Sequence, residues 1–161
     1  MDPLSQATIG AAAAQSVISK ADLARIGLIG ALAGMAPDLD VFIQSSTDPL
    51  LQLEYHRQFT HSLIFIPFGA LLCAIAFWPF VRHHMRFRAI WLTAFTGYAT
   101  HGLLDACTTY GTLLLWPFSD SRIAWNTISV VDPLFTLPLL GLVIAAGVKK
   151  SQPIGCLGMA W

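Results

Sequence analysis

Apolar residues run along this chain in long blocks, with polar residues gathered between them, and no stretch alternates as a half-buried strand would. The first two blocks, residues 3–19 and 21–36, are built from small residues (ATIGAAAAQSVIS, then ADLARIGLIGALAGMA). Each is about 16 residues, short of the roughly 20 needed to cross hydrocarbon. They predict a tight hairpin of two short helices turning near Lys20. Gly27, Gly30, Ala31 and Gly34 recur at helical spacing, a face that lets membrane helices approach closely. Pro37 disfavours a helical Ala36. PDLD (37–40) follows, and residues 41–55 read as a loop or interfacial helix with a turn at Asp48-Pro49.

The run LIFIPFGALLCAIAFWPFV predicts a third helix from about residue 60 to 81, with Thr60 as its N-cap. A fourth spans about 89–107 and a last one about 131–148. Residues 108–130, with turns at Gly111 and Pro117 and many aromatics, read as an interfacial excursion. The tail 151–161 has no clear pattern and is expected to be unstructured or atypical, leaving 1–150 as the working domain. The expected fold is all-α, an integral membrane bundle of about five helices, the first two short.

Composition strengthens the membrane reading. The 161 residues are 55% hydrophobic and 11% charged, against about 25% charged in ordinary soluble domains. The net charge is zero, so nucleic acid is not an expected partner; membrane lipids are. Cys73, Cys107 and Cys156 form no CxxC pair and no disulfide framework. The start, MDPLSQATIG, lacks the basic region of a secretory signal.

Charge also orients the bundle. Lys20 with Arg25, then Arg82, Arg86 and Arg88, then Lys149 and Lys150 occupy turns that five helices place on one side. Cytoplasmic loops are enriched in Lys and Arg, so that side is expected to be cytoplasmic. The opposite ends carry Gln6, Asp38, Asp40, His56, His61, His101, Asp105 and Asp132. Ionisable groups at membrane depth are costly and mark function. His101 and Asp105 are four apart and share a helix face. HRQFTHS (56–62) puts two histidines at the mouth of the third helix. Asp38, Asp40, His56, His61, His101 and Asp105 are therefore candidate ligands for one or two divalent ions, and such a set suits zinc, manganese or iron. His83 and His84 lie on the basic side and are excluded.

In order, DPLSQATIG, PDLD, HRQFTHS, HGLLDACTTYG (101–111), PFSDSR (117–122) and VDP (131–133) resemble the YdjM-like family of inner-membrane proteins, classed as metal-dependent hydrolases. The resemblance covers residues 2 to 148; each motif is weak alone, and the ordered set is specific. The family is in turn similar to the zinc phospholipase C and single-strand nuclease superfamily, all-helical proteins that bind zinc through His and Asp. Their HxxxD helix matches His101 and Asp105. Many relatives have His where this chain has Gln6, and some continue into a soluble C-terminal domain, so a shortened form is expected here.

Two functions compete. One is a membrane-bound hydrolase using metal-activated water. Arg57 and Arg122 sit on the ligand side, and guanidinium binds phosphate in a bidentate manner, which favours a phosphoester, a lipid among the candidates, over an amide. Arg57, Arg122 and Asp132 are the catalytic candidates, and zinc the expected cofactor. The other is a non-catalytic metal-binding scaffold or a small transporter. A transporter needs polar groups along a path through the bilayer, but the third helix has no charge from Leu63 to Phe77.

Overall fold

The computed structural model describes residues 1–18, 22–43 and 56–160. The predicted turn at Lys20 and the Asp48-Pro49 turn lie outside them. Six α-helices are present among the described residues, and no strand beyond one isolated bridge, Thr112 with Ile123. They are α1 (Pro3–Val17), α2 (Leu23–Met35), α3 (Ile66–Val81), α4 (Phe87–Ala106), α5 (Pro133–Lys149) and α6 (Gln152–Ala160). Short 3-10 turns occupy Ala36–Phe42, Phe59–His61 and Leu63–Phe65.

Capping explains several starts. Asp2, Asp22 and Asp132 each accept a backbone N–H of the following first turn, and Pro3 and Pro133 open α1 and α5 with φ already set. Asp132, a catalytic candidate by sequence, thus spends its carboxylate on the Phe135 N–H, 3.1 Å away, as the cap of α5. Thr60 is not the cap of the third helix. It lies inside the turn Phe59–His61 and directs its hydroxyl to Asp40, so α3 begins only at Ile66.

The two short helices are core. From Gly10 to Gln15, α1 is continuously buried, and it packs against α2, α4, α5 and α6. Small residues make this possible. A Cβ at Gly10 or Gly97 would collide with the carbonyl oxygen of Gly30, and one at Gly34 would meet the Gln6 carbonyl at 2.8 Å. Backbones therefore touch along a seam joining α1, α2 and α4. Such close approach suits a membrane, where van der Waals packing replaces the hydrophobic drive between helices.

Among the described residues, one helical stretch is long and apolar enough to cross a membrane, the 19 residues Leu63–Val81; Pro133–Lys149 is apolar but shorter. Few residues of the Leu63–Val81 stretch are buried. α4 has 20 residues, about 30 Å at 1.5 Å per residue, with Thr93, His101 and Asp105 fully buried.

The tail is a correction. Lys150 adopts a left-handed conformation (φ 49°), and its N–H and that of Ser151 bond to Ala146 O, a helix stop of the αL type. The chain then folds back as α6 along α1. Gly155 lies against the Gln15 backbone, and Gln152 Nε2 donates to Ser16 O at 3.1 Å. No pattern was legible because the contact needs only a small residue at position 155.

Candidate metal centre

Three chain reversals meet at one end of the bundle. The 3-10 turn after α2 brings Asp38 and Asp40. The loop before α3 brings His56 to His61, and the last turns of α4 bring His101 and Asp105. Asp38, His61, His101 and Asp105 each offer one donor atom, all within 4.8 Å of one another. His61 Nε2 and His101 Nε2 are 2.9 Å apart. Asp38 Oδ1 lies 3.5 Å from the first and 3.3 Å from the second, and Asp105 Oδ2 lies at 3.3 and 3.7 Å. Both histidines and Asp105 are buried, and Asp38 retains 30% of its side-chain exposure.

Hydrogen bonds assign the ring protons. His101 Nδ1–H donates to Gly34 O at 2.6 Å. The Thr60 hydroxyl donates to Asp40 Oδ2 at 2.7 Å, so its oxygen accepts from His61 Nδ1–H at 2.9 Å. Each ring therefore turns a bare Nε2 lone pair toward the other, beside two carboxylates. Among the described residues, Asp105 Oδ2 is buried without a hydrogen-bond partner. Two facing lone pairs beside a carboxylate oxygen that lacks a hydrogen bond are unfavourable alone and fit a cation at their centre; second partners on the outer nitrogens are characteristic of metal-ligating histidines.

The surrounding carboxylates make the centre attractive to positive charge, proton or metal. Burial alone would raise the Asp38 carboxyl, but the His101 and His61 rings reverse this and hold it well below the usual carboxylate range. Burial would lower His61, yet Asp105 and Asp38 pull it above its ordinary value.

Asp40 and His56 are placed differently from the ligand set read from the sequence. Asp40 has no free oxygen. Its Oδ1 takes His56 Nδ1 at 2.6 Å; its Oδ2 takes the Arg57 N–H at 3.0 Å and the Thr60 hydroxyl. Asp40 is the hub that folds the loop and orients His61, not one of the four converging groups. Burial opposes its ionisation, but these three donors outweigh it and its pKa is lowered. His56 rests on Asp40, a third of its side chain exposed.

The chain matches the YdjM inner membrane protein family over residues 1–161. It belongs to that family. Among curated proteins it is similar to the inner membrane protein YbcI of Escherichia coli (strain K12), 35% identical over 114 residues, 66% of this chain and 62% of that protein. It is also similar to the uncharacterized protein YfhP of Bacillus subtilis (strain 168), 27% identical over 122 residues, 75% of this chain and 37% of that protein. The match thus spans less than two thirds of either relative. No solved structure matches the chain, and the remoter likeness to the zinc phospholipase C superfamily has no counterpart in these comparisons.

In this YdjM-family protein the two arginines line a cavity of about 450 Å³ with His56 and Tyr110. Arg57 Nε is 3.5 Å from Asp105 Oδ2, its guanidinium stacks 5.5 Å from the Tyr110 ring centre, and among the described residues its Nη1 is buried without a hydrogen-bond partner. Arg122 Nη1 donates to Gly111 O at 3.2 Å. Gly111, at φ 62°, makes the turn that brings this excursion over the loop, where Leu113 N and the Thr112 hydroxyl bond Arg57 O.

Gln6 Nε2 donates to Asp105 Oδ1 at 3.0 Å, so the first helix reaches the site through an amide. Three supporting residues escaped the sequence reading. Gly34 supplies the carbonyl that fixes His101. Tyr98 donates to Thr60 O at 2.9 Å. Gly102 lies directly against the His61 carbonyl, where any Cβ would collide. A glycine beside a buried helix histidine was the available signal for the last.

Proposed function

We propose that this protein is a multi-pass membrane-bound, metal-dependent hydrolase of phosphoesters, with zinc held by Asp38, His61, His101 and Asp105. The observation that carries the reading is the pair of Nε2 atoms 2.9 Å apart between two carboxylates, with Arg57, from the arginine-lined cavity, 3.5 Å from Asp105. When bound, a divalent ion supplies a Lewis acid and makes water acidic enough to lose a proton near neutral pH. In the reaction water adds to phosphorus, the ester P–O bond breaks, and the leaving oxygen takes up a proton. Arg57 and Arg122 bind the phosphoryl oxygens, since guanidinium offers paired donors. His56, in the same cavity wall with Asp40 behind it, is placed to hand the proton to the leaving oxygen.

The Arg82–Arg88 turn and the Lys149–Lys150 end lie at helix ends opposite those that carry the four converging groups. We take the basic end as cytoplasmic, which puts the site on the extracytoplasmic side.

The test is metal analysis of the purified full chain beside a screen of phosphomonoesters and phosphodiesters. His101→Ala is expected to lose metal and turnover and remain folded. Arg122→Ala is expected to keep its metal and raise KM. Normal turnover by metal-free His101→Ala protein overturns the mechanism. Tightly bound metal with no turnover on any ester replaces the hydrolase by a metal-binding scaffold.

A further inference from the structure

A second cavity reaches one of the four converging residues, Asp38. About 420 Å³ in volume, within the range of ligand sites, it is lined by Asp38 and otherwise almost wholly by apolar side chains, among them Leu32, Met35, Phe42, Ala76 and Phe77. Its walls are α2 with the following 3-10 turn and the middle of α3. Ala76 and Phe77 lie 13 and 14 residues into the Leu63–Val81 stretch, about 20 Å along the helix. That depth is inside a hydrocarbon core about 30 Å thick, where water is absent and acyl chains are the available filling. Leu32, Met35 and Phe42 are exposed on this face, Phe42 by 76%. Asp38, the partly exposed member of the four, is where this groove and the metal centre join. Among the described residues the groove wall carries no cation; Arg57 and Arg122 stand in the other cavity, and the cations on Asp105 are Arg57 and the Met1 ammonium.

The site therefore has an apolar door and a cationic one, the division of a lipid into chain and phosphate. We propose that its ligand is a membrane lipid phosphoester, with the phosphate on the Arg57–Arg122 side of the centre and an acyl chain in the groove between Met35 and Phe77. This deepens the phosphoester reading and rests on it for turnover, but not for binding.

The test uses the full chain in phosphatidylcholine nanodiscs doped with phosphatidic acid bearing a diazirine in its acyl chain. Illumination is expected to label the peptides around Leu32–Met35 and Cys73–Phe77. Filling the groove with Ala76→Trp, or with Leu32→Trp from the opposite wall, should cut that labelling at least about tenfold, the scale of loss from a hydrophobic subsite. Arg57→Ala should cut it as well. Labelling that survives all three variants is bulk lipid and overturns the proposal. Hydrolysis is read separately on long-chain phosphatidic acid, its dibutyryl analogue and p-nitrophenyl phosphate. A long-chain preference lost in Ala76→Trp supports both readings. Equal kcat/KM for long and short chains, unchanged by Ala76→Trp, overturns the lipid and leaves the hydrolase. Variant-sensitive labelling with no turnover overturns the hydrolase and leaves the lipid site.

Discussion

Gly102 shows how little of the site depends on ligands alone. It sits one residue after His101, pressed against the carbonyl of His61. Gly102→Ala changes no ligand residue and is expected to force the loop away from α4, widening the gap between the two Nε2 atoms. Metal affinity is expected to fall, measured by competition with a chelator, while circular dichroism stays unchanged. Unaltered affinity would mean that the loop gives way without moving His61. Asp40→Asn probes the neighbouring layer. An amide cannot accept at both ends, so either the His56 bond reverses with a change of tautomer or one of the bonds from Arg57 N and Thr60 is lost. Groups behind metal ligands typically matter by about 10–100-fold in metal affinity or activity, and Asp40→Asn is expected to fall in that range. An effect as total as that of His101→Ala would instead place Asp40 among the ligands.

Among the elements, the α1–α2–α4 seam decides whether the reversals meet. Gly97 is pressed on the Gly30 carbonyl, and one turn further along α2 the Gly34 carbonyl holds His101. Gly97→Ala is expected to cost about 1–3 kcal/mol, the usual range for overpacking, read as an earlier midpoint in detergent denaturation. The displaced α2 should also release His101, so metal should dissociate faster than from the wild type. Gly141 provides the control: nothing lies within 4 Å of a Cβ there, and Gly141→Ala is expected to leave both measurements unchanged.

For the molecule as a whole, the separation of charge predicts topology. In a background with Cys73, Cys107 and Cys156 replaced by Ser, His84→Cys lies in the basic turn between α3 and α4, and Asp120→Cys in the excursion beyond α4. A membrane-impermeant maleimide applied to intact cells should label Asp120→Cys and not His84→Cys. The reverse pattern would put the site in the cytoplasm.

Much of this was legible in the chain. The apolar blocks specified an all-α membrane protein, because a backbone in hydrocarbon must satisfy its own hydrogen bonds. The HxxxD spacing put His101 and Asp105 on one face, because helical periodicity is local. The positions of acids, histidines and basic residues along successive helices assigned them to opposite ends, since each helix reverses the direction of the last. What only the tertiary structure decided is the division of labour within the polar set. Asp38 and Asp40 are two residues apart and equally good ligands in sequence, yet one faces the centre and the other is consumed by the loop. His56 and His61 divide in the same way, and Asp132 is taken by a helix start. A carboxylate's role depends on which donors reach it first, and those come from residues 16 to 20 positions away for Asp40. The tail follows the same logic: α6 packs on α1 where Gly155 meets Gln15 and Gly158 meets Ala12, a match that needs the neighbour as well as residues 151–161.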